Sequence, residues 1–541
     1  MILNSSLKFY VYEKFFFTFI IIFCSFAANA QDFPPTLTKQ QMYEDFDELV
    51  FILENANPQL PVRKVVTGYS QLDSVKLFKA EIDTIQNYYQ FIKLLDYVMR
   101  YMYDIHAFMA TQCCNPWTDT TGIDTKIINK IKTGYDNWIR EMREKTRQTV
   151  SAYFPCNPSY IDGDYYLYGL YTLKNKEKDT LILKNVKIIS YNNSPYNDYV
   201  MKNSHRFING GIRWDFKRNQ YYCNFSAFLI NGELVVENEN GDIHAINLNL
   251  YNSIDVIQLS DTSLSHNPDF KYYNHLLNRE NRVLYFEKDK ILYVYLKDMQ
   301  DPEHITEETL KEFGKGTAEK VKEIGNGKEI NKIIIDVRGN KGGGDAAWHN
   351  LLKTIVADSL IYDPKVAFLN TELMRQRFDV KGKDSAIIEL QTFEWLPGTE
   401  YLFNYDPFYF VPDSNSLRYK GKIYVFQDGD VYSAGHSITS YCRHVEQLIS
   451  IGEPTGLLAG FGTAPILFQL KNSKFSFHLE PLIDLTNVNS ALDIYQDIPE
   501  IVIEFPFEEK IKYLDYRKFD MQNENCLYKY DYLFKKVLEL E

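Results

Sequence analysis

The stretch from Asn331 to Val356, NKIIIDVRGNKGGGDAAWHNLLKTIV, gives the clearest indication of the fold. Ile333 to Val337 is an apolar run with the length and the β-branched composition of a buried strand. A short glycine-rich loop follows, and from Ala346 the pattern is helical. Alternating strands and helices of this kind indicate an α/β core with a buried sheet.

The loop from Arg338 to Gly344 can bring backbone N–H groups close to a negatively charged ligand atom. Both oxyanion holes and phosphate-binding loops use glycines in this way. A phosphate loop ends in Gly-Lys-Ser/Thr, whereas here Lys341 precedes the glycine run and Asp345 follows it. A nucleotide site is therefore disfavoured, and two interpretations remain, an oxyanion hole and a plain strand-to-helix turn.

A second α/β segment, GKIYVFQDGDVYSAGHSITSYCRHVEQLISIGEPTG from Gly421 to Gly456, places Ser433 at the start of a helix. A serine there can cap the helix. It can also be a nucleophile, because the hydroxyl stands clear of the backbone and the helix N-terminus favours developing negative charge. The two roles do not exclude each other.

Together the two segments resemble peptidase family S41, the C-terminal processing (tail-specific) proteases, which implies a ClpP/crotonase-like α/β core. The motifs that carry the resemblance are Asp336-Val337-Arg338-Gly339-Asn340 with Gly342 and Gly343, then Tyr432-Ser433-Ala434, then Gly452, Glu453, Thr455 and Gly456. Val337 stands where the family pattern has leucine. The resemblance implies that Ser433 is the nucleophile and that the oxyanion hole is formed by backbone N–H groups of Gly342, Gly343 and Ala434.

The branches of this family differ in their general base. One branch uses a lysine after the Gly-Glu motif, but no lysine lies between Glu453 and Gly462. The tricorn-like branch uses a histidine from an Asp-Gly-His-Thr motif after a helix. Asp104-Ile105-His106-Ala107 keeps the aspartate and the histidine and lacks the glycine and the threonine. We predict His106 as the base, since neutral imidazole accepts a proton near pH 7; a hydrogen-bonded structural histidine is the alternative.

An imidazole base also needs an orienting carboxylate. In related sequences an acidic residue precedes a proline element near the end of the core, which predicts Asp493, with Glu480 and Asp497 as rivals. His436 lies three residues beyond Ser433 on the same helical side. It is a candidate for substrate binding, as is Arg338 of the first motif, although His436 can also be read as an ordinary polar helix residue.

The net charge and the motifs of the sequence limit the classes of partner that the protein can have. The net charge of -13, without a basic stripe, argues against a nucleic-acid partner. The ten histidines show neither an HExxH motif nor paired spacing, so we predict no metal and no cofactor. The predicted partner is a peptide or protein substrate, and the oligomeric state is not encoded in any motif.

The first thirty residues have the pattern of a signal peptide, with Lys8 and Lys14, an apolar run from Phe15 to Phe26, and Ala28-Asn29-Ala30. The run is shorter than the roughly 20 residues that span a bilayer, so cleavage is favoured over a retained anchor. We predict export to the periplasm or the cell exterior. The six remaining cysteines fit neither a zinc pattern nor a disulfide scaffold.

At 541 residues the chain is too long for one core. We predict a helical domain over 31–115, a β-rich module over 116–275, the S41-like core over 276–510 and a helical tail over 511–541. VKIISYNNSPYNDYV, Val186 to Val200, resembles part of a PDZ-like domain, which binds a peptide as an added strand. A plain β-sandwich insert is the alternative.

These observations predict an exported serine endopeptidase that forms an acyl-enzyme on Ser433. The alternative is an inactive S41-like protein that binds peptides or other ligands, suggested by the departures around His106. A carbohydrate-active enzyme or an esterase is disfavoured, because the chain lacks a Gly-x-Ser-x-Gly elbow and a convincing carboxylate pair.

Overall fold

The computed structural model describes residues 34–104, 106–110, 123–149, 154–156, 158–175, 180–203, 212–215, 217–223, 227–229, 232–257, 281–299, 314–378, 388–405, 408–455, 465–486, 488–516 and 522–540. Helices and sheets are mixed throughout these residues, as the predicted α/β class requires. The predicted signal peptide, 1–30, lies outside them, as does most of the loop that follows Thr455. None of the described helices is both long and apolar enough to cross a membrane.

The N-terminal part is helical. Its helices are α1 (Lys39–Ala56), α2 (Gln59–Thr67), α3 (Gln71–Leu77), α4 (Tyr88–Tyr101) and α5 (Thr125–Thr149), with a 3-10 helix at Phe78–Thr84. A capping box between Thr38 and Gln41 starts α1, and the Asn87 side chain caps α4. The apolar faces of α1 and α4 are buried with residues of the C-terminal half, including Phe475 and Phe477.

The β-rich part is built on a long antiparallel sheet in the order β11-β10-β5-β4-β12. Its elements are β2 (Phe154–Cys156), β3 (Ser159–Ile161), β4 (Asp164–Asn175), β5 (Thr180–Tyr191), β6 (Ser194–Pro195), α6 (Tyr196–Asn203), β7 (Ile212–Asp215), β8 (Gln220–Cys223), β9 (Ala227–Leu229), β10 (Glu233–Glu237), β11 (Ile243–Asn247) and β12 (Tyr251–Ile257). Residues 186–200, for which the sequence predicted a PDZ-like segment, form the end of β5, then β6 and the start of α6. This topology alone does not establish a PDZ-like domain.

The central sheet has six strands in the order β13-β14-β15-β21-β22-β26. Its strands are β13 (Arg282–Phe286), β14 (Ile291–Tyr295), β15 (Lys332–Asp336), β21 (Ile423–Gln427), β22 (Leu448–Gly452) and β26 (Ile501–Val502). All neighbours from β14 to β26 are parallel. Since parallel strands end at a common edge, the loops that follow Asp336 and Gln427 meet there.

Three helices of the core, α7 (Lys315–Gly325), α8 (Ala346–Ile355) and α10 (Ala434–Tyr441), bury apolar residues in the same cluster as the central sheet. Other elements form smaller sheets and their flanks: β1 (Phe108–Met109), β16 (Leu360–Tyr362), β17 (Lys365–Leu369), α9 (Glu372–Arg377), β18 (Ile388–Phe393), β19 (Leu396–Tyr405), β20 (Phe408–Phe410), β23 (Ile466–Gln469), β24 (Ser476–Leu479), β25 (Ile483–Asp484) and α11 (Ala491–Tyr495). One of these sheets, β1-β24-β23, joins the N-terminal part to the core.

The tail forms α12 (Phe507–Tyr516), α13 (Glu524–Tyr530) and α14 (Tyr532–Leu538). Leu533, Phe534 and Val537 of α14 are buried against aromatic residues of the central sheet, including Phe286 and Tyr293. The tail therefore covers the face of the central sheet to which Tyr293 and Phe426 contribute.

Candidate active site

Ser433 lies at the N-cap of α10 with φ 54° and ψ -129°. A non-glycine residue rarely adopts such a backbone, and the strain is typical of functional turns. Its side chain makes no capping hydrogen bond to the helix; its carbonyl accepts hydrogen bonds from the N–H groups of His436 (2.8 Å) and Ser437 (3.0 Å). The hydroxyl is thus not used as a helix cap.

The glycine-rich loop lies directly against Ser433. A Cβ added to Gly342 would stand 2.5 Å from Cβ of Ser433 and 3.0 Å from the amide nitrogen of Ala434. At Gly343 it would meet Cβ of Met299 at 2.8 Å. Both glycines have positive φ, 98° and 135°. Only glycine fits this approach, which brings the loop backbone to the serine.

Asn340 connects this loop to the nucleophile turn. Its carbonyl accepts the Tyr432 N–H at 2.9 Å, and its buried side chain donates to the Leu296 carbonyl at 2.8 Å. Its Oδ1 accepts the Gly342 N–H at 2.7 Å. That N–H is therefore engaged, and Gly342 can serve an oxyanion only if this bond is released.

His106 lies where the N-terminal part meets the core. Strand β1 pairs with β24 in antiparallel register, Phe108 opposite His478 and Met109 opposite Phe477. Continuing this register places His106 opposite Glu480. Nδ1 of His106 lies 3.3 Å from Oε2 of Glu480, an ion-pair distance without good hydrogen-bond alignment.

The His106 ring also packs on Tyr432, the residue before Ser433, with 5.0 Å between ring centroids. Glu480 is fully buried, and its Oε1 accepts the Leu482 N–H at 3.1 Å. His106, Glu480 and the nucleophile turn thus converge, although they come from distant parts of the chain.

Asp104 links the histidine loop to the nucleophile turn through one oxygen. Its Oδ1 accepts the His106 backbone N–H at 2.8 Å and the Tyr432 hydroxyl at 3.1 Å. Oδ2 lies 3.9 Å from the guanidinium of Arg63. Burial and Asp104 raise the pKa of Tyr432 far above its usual value, so the phenol stays protonated as the donor.

The histidine and its carboxylate influence each other's protonation. Burial lowers the pKa of His106, but Glu480 and Asp104 outweigh it, and the pKa is raised above its ordinary value. Burial raises the pKa of Glu480, and His106 opposes that shift. This arrangement favours the imidazolium that forms when a histidine acts as base.

Asp493, the carboxylate predicted to orient His106, instead caps a helix. Its Oδ2 accepts the N–H groups of Asn489 (2.9 Å) and Ser490 (2.8 Å), in a capping box that starts α11. Asp497 pairs with Arg443 at 3.2 Å. The carboxylate that the structure brings to His106 is Glu480.

A family model matches the core of the chain. The match is to the model described as peptidase family S41, over residues 290–480. The matched range contains the glycine-rich loop, Ser433 and Glu480, while His106 lies upstream of it. No curated protein matches the chain significantly.

Solved structures similar to this chain include several proteases. Mature CPAF is 12% identical with a TM-score of 0.45, and the match covers 89% of this chain and 96% of that one. The photosystem II D1 C-terminal processing protease is 11% identical with a TM-score of 0.33, covering 86% and 94%. A putative peptidase from Parabacteroides merdae is 16% identical with a TM-score of 0.30, covering 52% and 68%. At such scores these likenesses carry no argument about chemistry.

The Arg338 side chain makes its contacts with other residues of the protein. Its guanidinium binds Asp336 (2.6 Å) and Asp531 (2.7 Å) and stacks over Phe426, with 5.1 Å to the ring centroid. Tyr293 donates to the same Asp336 carboxylate at 2.6 Å. The structure therefore gives Arg338 a buried ion cluster that ties the glycine-rich loop to the tail, in place of the predicted contact with substrate.

His436 is buried in α10, with only 6% of its surface exposed. Burial lowers its pKa, so it stays neutral near pH 7. Its Nδ1 has no hydrogen-bond partner among the described residues, and the side chain has little surface to offer a substrate. Across the part of the chain that the structure covers, no cluster of three or more His, Cys, Asp or Glu could hold a metal ion.

Proposed function

We propose that the protein is an exported serine endopeptidase with Ser433 as nucleophile, His106 as base and Glu480 as orienting carboxylate. The observation that carries the proposal is the His106–Glu480 pair, packed on Tyr432 beside a strained Ser433. A base held by a buried carboxylate next to a strained serine is the arrangement of serine hydrolases.

In this mechanism the Ser433 hydroxyl attacks the carbonyl carbon of the scissile peptide bond while His106 takes its proton through Nε2. Nδ1 faces Glu480, which stabilises the resulting imidazolium. The imidazolium then protonates the leaving amine, and the acyl group remains on Ser433. A water that gives its proton to His106 hydrolyses the ester and restores the serine.

Backbone N–H groups of Gly343 and Ala434 are the proposed oxyanion donors. Gly342 can join them once its bond to Asn340 is released. Preorganised donors of this kind contribute roughly 10² to 10³ in rate each. Close packing at Gly342, where an added Cβ would meet Ser433 and the Ala434 amide nitrogen, supports this placement, and Gly343 is the next residue of the same loop.

The proposal includes export and a role for the β-rich part. Residues 1–30 have the pattern of a signal peptide, so the mature N-terminus is expected at Gln31. Strand β11, at one edge of the long antiparallel sheet, is mostly exposed and could pair with an extended peptide in the manner of a PDZ-like domain. N-terminal sequencing of protein recovered from the periplasm or medium tests the export step.

A fluorophosphonate probe tests the catalytic proposal directly. We expect the unmodified protein to be labelled, Ser433→Ala to remain unlabelled, and His106→Ala to be labelled at least about a hundredfold more slowly. Ser437→Ala, which changes a serine on the same helix, is the matched control and should label normally. Labelling that persists in Ser433→Ala would falsify the assignment of the nucleophile.

One observation favours the second candidate, an S41-like binding protein without turnover. The Gly342 N–H is engaged by Asn340, which leaves the oxyanion site incomplete as it stands. If the folded protein binds peptides but neither reacts with the probe nor cleaves a peptide library, this second function is the correct one.

A further inference from the structure

A cavity of 810 Å³ lies between the β-rich part and the central sheet. One wall is the loop from Asp428 to Asp430, three residues before Ser433, together with Glu453 and Pro454 after β22. The other wall includes Tyr160 and Arg213 of the β-rich part. The cavity is therefore at the carboxyl edge of the sheet, where the nucleophile turn begins, and its volume falls within the range of ligand-binding clefts.

The lining carries a surplus of negative charge. Six carboxylates and four cations line the cavity among the described residues. Each cation has a carboxylate partner: Arg213 with Asp430, Lys217 with Glu504, Arg218 with both Asp215 and Asp162, and Lys510 with Glu453. The sixth carboxylate, Asp428, accepts hydrogen bonds from the Gly339 and Asp430 N–H groups and from the Tyr513 hydroxyl. With the cations neutralised, the cavity attracts positive charge.

Gln496 adds a buried acceptor to this lining. The residue is 2% exposed, and its Nε2 donates to the Trp214 carbonyl (2.8 Å) and the Thr455 carbonyl (3.1 Å). Two carbonyl partners fix the amide orientation, so Oε1 is the acceptor, and it has no donor among the described residues. Because Oε1 itself is buried, Gln496 fixes this wall of the cavity and does not meet a ligand directly.

Aromatic faces complete the cavity. Tyr160 and Tyr222 stack with 4.2 Å between centroids, and Phe505 and Tyr513 also line the cavity, where the Lys510 ammonium lies 5.2 and 5.6 Å from their ring centroids. The face of an aromatic ring attracts a cation, and a long alkyl stem packs well on it. The excess of carboxylates over cations, and aromatic rings that already hold the Lys510 ammonium, together match a lysine or arginine side chain.

We propose that this cavity binds a lysine- or arginine-bearing part of the polypeptide substrate and gives the peptidase a preference for basic sequences. The inference rests on the proposed function for its consequence in catalysis. Binding itself needs no turnover, because the cavity is formed by residues other than His106, Ser433 and Glu480.

The test uses the full-length chain with Ser433→Ala, so that a bound peptide is not consumed. Two fluorescent peptides, identical except for lysine or its uncharged analogue norleucine at one position, are titrated and followed by anisotropy. We expect the lysine peptide to bind about three- to tenfold more tightly at low salt, with the difference shrinking as salt rises. Equal affinities, or tighter binding of norleucine, overturn the proposal.

A matched pair of variants locates the effect. Glu504 lines the cavity, pairs with Lys217 and is 74% exposed; Glu287 pairs with Lys328, is 73% exposed and does not line the cavity. We expect Glu504→Gln to weaken the lysine peptide about two- to fivefold and Glu287→Gln to leave it unchanged. Equal effects of the two changes would mean a diffuse surface field and would also overturn the site.

The two proposals fail separately. If the unmodified protein does not react with the fluorophosphonate probe but the lysine peptide still binds as described, the binding proposal is supported and the peptidase proposal is contradicted. If the probe labels Ser433 but the lysine and norleucine peptides bind equally well, the peptidase proposal is supported and the preference for basic sequences is contradicted.

Discussion

Glu480 is fully buried, with Oε2 3.3 Å from Nδ1 of His106. Glu480→Gln keeps the volume of the side chain and removes the charge that stabilises an imidazolium. We expect kcat to fall by about 10³ to 10⁴ with KM little changed, because the lost interaction acts mainly in the transition state. Steady-state kinetics on a cleaved peptide measure both constants.

Asp493→Asn is the control for that experiment. Asp493 is the N3 residue of α11, and the side-chain oxygen of an asparagine can accept the same Asn489 and Ser490 N–H groups, so α11 and kcat should both be largely preserved. If Asp493→Asn removed activity while Glu480→Gln kept it, Asp493 would be restored as the orienting carboxylate.

The pH dependence of activity follows from the charges around His106. Its pKa is raised above the ordinary value because Glu480 and Asp104 outweigh burial. Only the neutral imidazole accepts a proton, so kcat/KM should rise with pH through this pKa. The rising part of the pH profile should therefore lie above the ordinary histidine pKa of about 6.5.

In Glu480→Gln the main opposing charge is gone, so the limb of residual activity should move to lower pH. A pH profile of kcat/KM for both proteins measures the shift. An unchanged limb would show that His106 does not titrate against Glu480.

Among the structural elements, the glycine-rich loop can contribute to the proposed site only because its backbone lies close to Ser433. Gly342 and Gly398 both have positive φ, 98° and 79°, so alanine strains the backbone at either position. Only at Gly342 would the new Cβ collide with Ser433; nothing lies within 4 Å of one at Gly398.

We expect Gly398→Ala to lose about 1 kcal/mol of unfolding free energy from backbone strain, and Gly342→Ala to lose about 1–3 kcal/mol more because the added Cβ also overpacks the turn. Gly342→Ala alone should slow fluorophosphonate labelling, by about a hundredfold or more. Denaturant unfolding and labelling rates measure the two effects, and equal labelling rates would show that the loop does not crowd the nucleophile.

Local elements could be predicted from the sequence, because their patterns are contained in a few residues. The apolar run before Asp336, the glycines and the serine turn stand where the sequence placed them. The partnership of His106 and Glu480 depends on the register between β1 and β24, which are far apart in the chain. No local pattern encodes that register.

The helix-capping role of Asp493 could have been predicted from the local sequence. Ser490-Ala491-Leu492-Asp493 has the spacing of a capping box with aspartate in the place of the usual Glu or Gln, and the structure shows both of its hydrogen bonds. The structural role of Arg338 had no such signal, since Asp531 of its ion cluster comes from the tail.

At the scale of the whole molecule, the tail supports the catalytic edge through Asp531. This residue binds Arg338 at 2.7 Å through Oδ2 and caps α14 through Oδ1, 2.8 Å from the Phe534 N–H. Asp531→Asn keeps the cap and removes the charge. We expect a loss of about 1–3 kcal/mol in unfolding free energy, since a buried charged hydrogen bond is broken.

The same change should also slow labelling of Ser433, because Arg338 belongs to the loop that faces the serine. Asp493→Asn, which alters a capping aspartate elsewhere, is the stability control. Full stability in Asp531→Asn, measured by denaturant unfolding, would show that the tail does not depend on this ion cluster.

The short pairing of β1 with β24 also sets when the molecule can become active. The proposed base is made early in synthesis, whereas the nucleophile and the carboxylate are made late, and the pairing needs both. A nascent or half-folded chain would therefore hold no complete copy of the proposed triad. If the proposed activity is correct, such a chain would not digest itself or its neighbours, and proteolysis would start only when folding has finished.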